Sequence, residues 1–126
     1  MGRRPRSTQE VFEDHLRCRQ AGALEDDLAR NYAEDVVLLT GFGVYRGKEG
    51  VRQLARKLHE QLAGICYDYR TRLVEGEFAF LEWTAQCATA RVCDGADSFW
   101  IRDGRIAVQT IHYTVEPVGA DQSGRA

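Results

Sequence analysis

The four cysteines of this chain, Cys18, Cys66, Cys87 and Cys93, have no CxxC spacing. They fit reduced, partly buried thiols better than a zinc site or a disulfide frame, and no metal is expected. No cysteine has a base partner legible in the sequence, so a thiol nucleophile is unsupported. No apolar run approaches the ~20 residues a membrane span needs, so no membrane partner is expected. Residues 1–7 lack the apolar segment of about 7–15 residues found in secretory signals, which makes the cytoplasm the expected location. Net charge is −2, and basic residues cluster only at Arg3, Arg4 and Arg6, so no nucleic-acid partner is expected. Gly41, Gly43 and Gly47 lack the Lys-Ser/Thr or βαβ context of a phosphate-cradling loop. There is no internal repeat and no linker within 8–117.

What is present suits one domain over 8–117, flanked by tails at 1–7 and 118–126 expected to be disordered. At 126 residues the chain can enclose one cavity at most. Ser7-Thr8-Gln9-Glu10 has the spacing of a capping box, predicting a helix from about 8 to 20. Its apolar stripe Val11, Phe12, Leu16, Cys18 carries His15 inward with it. Gly22 ends that helix. Leu24, Leu28 and Tyr32 mark a second, with Glu25, Asp26 and Asp27 read as acids stabilised near its positive end. Val36 to Leu39 reads as a short buried strand, and glycines then bend the chain into a third helix carrying Val51, Leu54, Leu58 and Leu62 inward. After Gly64 the pattern is antiparallel strand throughout: 65–74, 77 to about 88, about 90 to 101, and 105–116. Helices first and strands second imply an α+β fold, with about three helices packed on a curved antiparallel sheet.

The turn at Ile101-Arg102-Asp103-Gly104-Arg105 allows two registers. A three-residue turn pairs Ile101 with Arg105, so that Asp97, Phe99, Gln109, Ile111 and Tyr113 share one face. A two-residue turn sets Asp97 opposite Thr110, on the face of His112.

Through Tyr32-Ala33-Glu34-Asp35, the Gly41-Phe42-Gly43 bend and Asp103-Gly104-Arg105-Ile106, the chain resembles the NTF2-like superfamily over about 8–116. Within that superfamily it resembles in particular the SnoaL-like polyketide cyclases and ketosteroid isomerase. The resemblance implies a cone-shaped fold around a small pocket, and it places Asp97, Gln109, Ile111 and Tyr113 toward that pocket. It matches Asp97 to a carboxylic acid that stays protonated and donates to an oxyanion. It brings the isomerase's oxyanion tyrosine near His15 or Leu16, depending on one gap at Gly22, with His15 able to replace it as a proton donor or shuttle, and matches Tyr32 to a tyrosine of a hydrogen-bond network. Thr40 stands where the isomerase keeps its proton-abstracting aspartate, and a hydroxyl cannot serve as that base near neutral pH. Glu82, among Phe78, Phe80 and Thr84 at period two, reads as a displaced base aimed into the cavity. Phe42, Phe80, Phe99 and Ile111 complete the expected apolar wall.

Each assignment has a plainer counterpart. Asp97 could cap a turn after Asp94-Gly95, His15 and Tyr32 could be core residues, Glu82 could face an interface, and Gln109 and Tyr113 could be ordinary sheet residues. The opposite sheet face, with Leu81, Trp83, Trp100 and Thr110, predicts a homodimer. Two functions follow. One is an acid–base enzyme without metal or organic cofactor, a cyclase, hydrolase, dehydratase or isomerase acting on a small apolar carbonyl or epoxide compound. The other is a non-catalytic ligand-binding or dimeric assembly module.

Overall fold

The computed structural model describes residues 5–118. The first helix, α1, spans Thr8–Ala21. Its capping box is complete: the Ser7 hydroxyl accepts from the Glu10 amide at 3.0 Å, and the Ser7 amide donates to the Glu10 carboxylate at 2.7 Å. Two orphan amide donors are thereby satisfied at the helix start. Gly22 closes the helix in the left-handed region, φ 70°, where a side chain would be strained. The second helix, α2 (Leu24–Asn31), folds back beside α1, and the chain turns extended at Tyr32.

Strand β1 (Tyr32–Thr40) is longer than its apolar run suggests, and it pairs through the Gly41-Phe42 turn with a second strand, β2 (Gly43–Arg46). From sequence, β2 reads only as a bend, because a four-residue edge strand so rich in turn signals has no period of its own. Helix α3 (Gly47–Gln61) follows. Then come β3 (Cys66–Glu75), β4 (Phe78–Gln86), β5 (Ala90–Arg102), β6 (Arg105–His112) and the short β7 (Glu116–Pro117).

These seven strands form one sheet in the order β2-β1-β6-β5-β4-β3, with β7 on β5. The ladders from β3 through β6 are antiparallel, whereas β1 lies parallel to β6, so the sheet as a whole is mixed. Helix α1 packs across β3, β4 and β5, and α3 across β1 and β2. The core between helices and sheet holds Phe12, Leu28, Leu38, Leu62, Ile101 and Ile106, each almost wholly buried. Register shifts interrupt four of the ladders, and such bulges add local bend and twist.

The last hairpin takes neither register in simple form. Asp103 and Gly104 both have positive φ, 55° and 74°, and Arg102 pairs with Arg105. That is the two-residue turn favoured by Asp-Gly. A bulge then leaves Ala107 without a partner, so Trp100 faces Val108 and Asp97 faces Ile111. The extra residue restores the parity a three-residue turn would have given. Asp97, Phe99, Gln109, Ile111 and Tyr113 therefore do share the inner side.

Residues expected in the tails are partly held. Arg6 donates to the Asn31 side chain at 2.9 Å, to the Arg30 carbonyl and to the Gly104 carbonyl at 3.0 Å. The Val118 amide donates to Thr89. Residues 1–4, with Arg3 and Arg4, and residues 119–126 lie outside the described residues.

Candidate active site

Between α1, α3 and the inner side of the sheet lies a cavity of about 60 Å³, space for a handful of waters at about 10–15 Å³ each. Its wall is mainly apolar, from Leu38, Val51, Leu54, Leu58, Leu81 and Ile111. Polar groups enter from two directions.

From the helices come His15 and Arg19, one turn apart on α1 and so on one side of it. His15 is 3% exposed, and its Nδ1 lies 2.9 Å from Oδ2 and 3.2 Å from Oδ1 of Asp27 on α2. Asp27 is fully buried and also accepts from Asn31 Nδ2 at 2.8 Å, one helical turn on. Asn31 in turn donates to Asp14 at 2.9 Å. An ionised carboxylate only accepts, so Nδ1 carries the hydrogen and Nε2 is left for the cavity. Phe99 and Tyr32 hold the imidazole edge-on, with ring centroids at 5.3 and 5.8 Å.

From the sheet comes Asp97, 8% exposed. One of its oxygens accepts from Trp83 Nε1 at 2.9 Å and the other from Gln109 Nε2 at 3.0 Å. The Gln109 carbonyl accepts from the Tyr32 hydroxyl at 2.5 Å. Burial raises the Asp97 pKa above its ordinary value, against the two N–H donors and the nearby His15 and Arg19, which lower it. Desolvation prevails, and the carboxyl is biased toward its neutral form. Burial likewise pushes the Tyr32 phenol well up and that of Tyr113 up to about 12, so both are hydroxyl donors at ordinary pH. Tyr113 donates to Gln61 at 2.8 Å. Among the described residues, no group of three or more His, Cys, Asp or Glu is arranged to hold a metal ion.

The SnoaL-like domain profile matches residues 12–109. The chain belongs to the SnoaL-like domain family. Similar folds occur in a candidate ketosteroid isomerase from Kribbella flavida (TM-score 0.73, 17% identity, covering 92% of this chain and 85% of that one). TerC, co-crystallised with polyporic acid, is similar with TM-score 0.72 at 18% identity, covering 85% and 91%. So is a candidate SnoaL-like polyketide cyclase from Mesorhizobium loti, TM-score 0.67 at 18% identity, covering 86% and 100%. At these identities the likeness is one of fold. No curated protein matches this SnoaL-like chain in sequence.

Of the residues assigned to the site from sequence, His15, Tyr32, Asp97, Gln109, Ile111 and Tyr113 line the cavity. Phe99 is buried on the same side but stands behind His15, packed on Phe12. Glu82 is a correction: it is exposed and on the outer side of β4. The inward row of that strand is Ala79, Leu81, Trp83 and Ala85, because Leu81 pairs with Asp97 and Trp83 with Gly95. Phe80 goes outward with Glu82, half-buried, and Leu81 and Trp83 leave the proposed outer patch for the cavity. Thr40 does not line the cavity either, since its hydroxyl caps the β1–β2 turn, accepting from the Phe42 amide at 2.9 Å and donating to the Gly43 carbonyl at 3.0 Å. Phe42 is 43% exposed and packs against Tyr113 from outside, with Lys57 Nζ 5.0 Å from its ring. His112 faces outward and pairs with Asp94 at 3.3 Å.

Three site residues were not legible as such. Asp27 looks like an acid placed for the helix dipole, yet it sits beside Leu28 and one turn before Asn31, a spacing that allows an inward polar pair. Arg19 follows His15 by four residues, the one signal that it shares the inner face. Trp83 is masked by the aromatic residues alternating with it on the other side of β4.

Proposed function

We propose that this SnoaL-like protein is an acid–base enzyme that works without metal or organic cofactor on a small, apolar carbonyl or epoxide compound. Cyclisation, hydrolysis, dehydration and isomerisation all fall within that chemistry. The observation that carries the reading is one apolar cavity flanked by a carboxylate-braced imidazole and a carboxyl biased toward neutrality. His15 Nε2 takes a proton, and Asp27 stabilises the resulting imidazolium. Asp97 donates a proton or hydrogen bond to the developing oxyanion. Tyr32 and Gln109 hold Asp97 in place, while Tyr113 and Ile111 contact the ligand. A buried carboxyl and an imidazole facing one apolar space supply the donor and the acceptor that acid–base chemistry needs.

The test is proton exchange at the α-carbon of small ketones such as cyclohexanone and 2-tetralone in D2O, followed by NMR, together with hydrolysis of styrene oxide. Wild-type protein should accelerate at least one of these reactions. His15→Gln, Asp27→Asn and Asp97→Asn should each reduce the rate by about 10²–10⁴-fold. No acceleration by wild type, or equal rates in all variants, sinks the reading.

A second reading is a ligand-binding or assembly module without catalysis. It is favoured by the mutual satisfaction of the site: among the described residues no buried side-chain polar atom lacks a partner. A module of that kind would bind ligand with an affinity unaffected by Asp97→Asn across pH.

The outer sheet side supports a homodimer in either case. Leu39, Val44, Leu73 and Phe78 are 44–60% exposed there, next to Trp100 and Val108, and patches of that kind usually mark an interface. Four free thiols suit the cytoplasm, where we place the protein.

A further inference from the structure

The arginines of this domain commonly find carboxylates at the surface. Arg30 pairs with Asp14 at 2.9 Å, Arg52 with Glu25 at 2.9 Å and Arg91 with Glu116 at 3.0 Å. Arg19 differs. It is half-buried and lines the cavity, yet among the described residues no carboxylate lies within 4 Å of its guanidinium. The two acids on the same side are committed elsewhere, Asp27 to His15 and Asn31, and Asp97 to Trp83 and Gln109. The neighbour that does most to keep its charge is the phenol of Tyr67, which lines the same space. A guanidinium offers five N–H donors in a planar fork, so one phenol leaves most of that fork unused.

The position of Arg19 adds to this. It stands where the cavity meets a wider hollow of about 380 Å³ between the end of α1, the end of α3 and the start of β3. Arg19, Ala55, Leu58 and Tyr67 are common to both spaces. The fork is thus at a junction large enough for a ligand, one helical turn from His15. Burial works against the charge on Arg19, and Tyr67, Tyr32 and Asp27 work to keep it. A cation kept in an apolar wall without a counter-ion carries a desolvation cost that a bound anion would offset.

We infer that Arg19 is the recognition site for a carboxylate, so that the compound this cavity takes is an apolar acid held by its carboxylate on the Arg19 fork. The inference rests on the catalytic reading of the same cavity and narrows its substrate class. Two parallel N–H···O bonds would fix the acid group, with the Tyr67 hydroxyl beside it. The apolar body then extends along Leu54, Leu58 and Ile111 toward His15 and Asp97. A neutral ketone or epoxide without the acid group would bind the same apolar wall but lose the anchor.

Isothermal titration calorimetry with benzoate and its neutral isostere benzamide tests this. Wild-type protein should bind benzoate roughly tenfold or more tightly than benzamide, the ratio expected for hydrogen bonds to a charged group. Arg19→Gln should bring that ratio to about one, with an unchanged circular dichroism spectrum and thermal midpoint to show that the variant is folded. Arg19→Lys should keep a reduced preference, having the charge without the fork. Arg102→Gln, which removes an exposed cation stacked on Trp100 at 4.8 Å, should leave the preference intact. Equal binding of the two probes by wild type, no benzoate binding, or a preference that survives Arg19→Gln overturns the inference. Because binding alone is read, those results leave proton exchange by His15 and Asp97 untouched, and a loss of exchange activity with intact benzoate preference would remove the enzyme and keep the anion site.

Discussion

The indole of Trp83 lies directly over the backbone of Gly95, so close that a Cβ there would stand 2.3 Å from its ring atoms. The two residues are cross-strand partners. The absent side chain is what lets the ring settle inward and present Nε1 to Asp97 at 2.9 Å. Gly95→Ala should therefore displace Trp83 and cost about 1–3 kcal/mol, the range for overpacking a filled site. Chemical denaturation reads the cost, and a shift in Trp83 fluorescence reads the displacement. An alanine variant with unchanged stability and spectrum would show that the ring can move freely.

Asp97 makes the stability of the fold depend on pH. Burial raises its folded pKa above the ordinary 3.8. Its contribution to stability is therefore full below about pH 4 and is lost as pH rises through the folded value. Asp97→Asn cannot titrate, so the wild type should lose stability relative to this variant as pH rises from 3.5 to 7. Urea denaturation at a series of pH values measures the difference in slope. The variant also sets an amide N–H against one of the two donors, so its absolute stability should be lower.

Asp14 acts in the opposite direction. Hydrogen bonding from Arg30, with help from Asn31 and Arg17, brings its carboxyl down to about 2 against the effect of burial. A depressed folded pKa means stabilisation present above the ordinary 3.8 and lost as pH falls toward 2. Acid unfolding followed by circular dichroism should begin at higher pH in wild type than its residual stability at neutral pH suggests. Asp14→Asn should show a shallower acid limb and a weaker tie between α1 and α2.

Phe78, 60% exposed, is the most exposed large apolar side chain of the outer sheet side. If two copies pack through that side, Phe78→Arg should convert the dimer to monomer in size-exclusion chromatography with light scattering, leaving the cavity unaltered. A wild-type protein that runs as a monomer at high micromolar concentration would remove the dimer.

The helices were legible because each carries its own signals: the Ser7 box and Gly22 bound α1, and a clean apolar stripe marks α3. The face of β5 and β6 was legible for a partly accidental reason. The Asp103-Gly104 turn and the bulge at Ala107 each shift parity by one, and the two shifts cancel. β4 was not legible, since both of its sides carry aromatic residues and only the partner strand decides which side is inward. Gly95 reads in sequence as part of a turn after Asp94, whereas its role depends on a tryptophan twelve residues earlier. Asp27 escaped for a similar reason: whether an acid in a first helical turn meets solvent or a histidine depends on how the neighbouring helix is docked.

Because β1 pairs with its sequence neighbour β2 on one edge and with the distant β6 on the other, the chain cannot complete its sheet as it is synthesised. Leu38 finds Gln109, and Tyr32 finds Ile106, only after some seventy residues more have been made. Until β6 arrives, β1 keeps a bare edge and the Tyr32 hydroxyl lacks the Gln109 carbonyl to which it donates. Assembly should therefore be governed by this one distant pairing, with slow folding for a small domain. Weakening the Asp103-Gly104 turn that delivers β6 should retard folding more than it hastens unfolding.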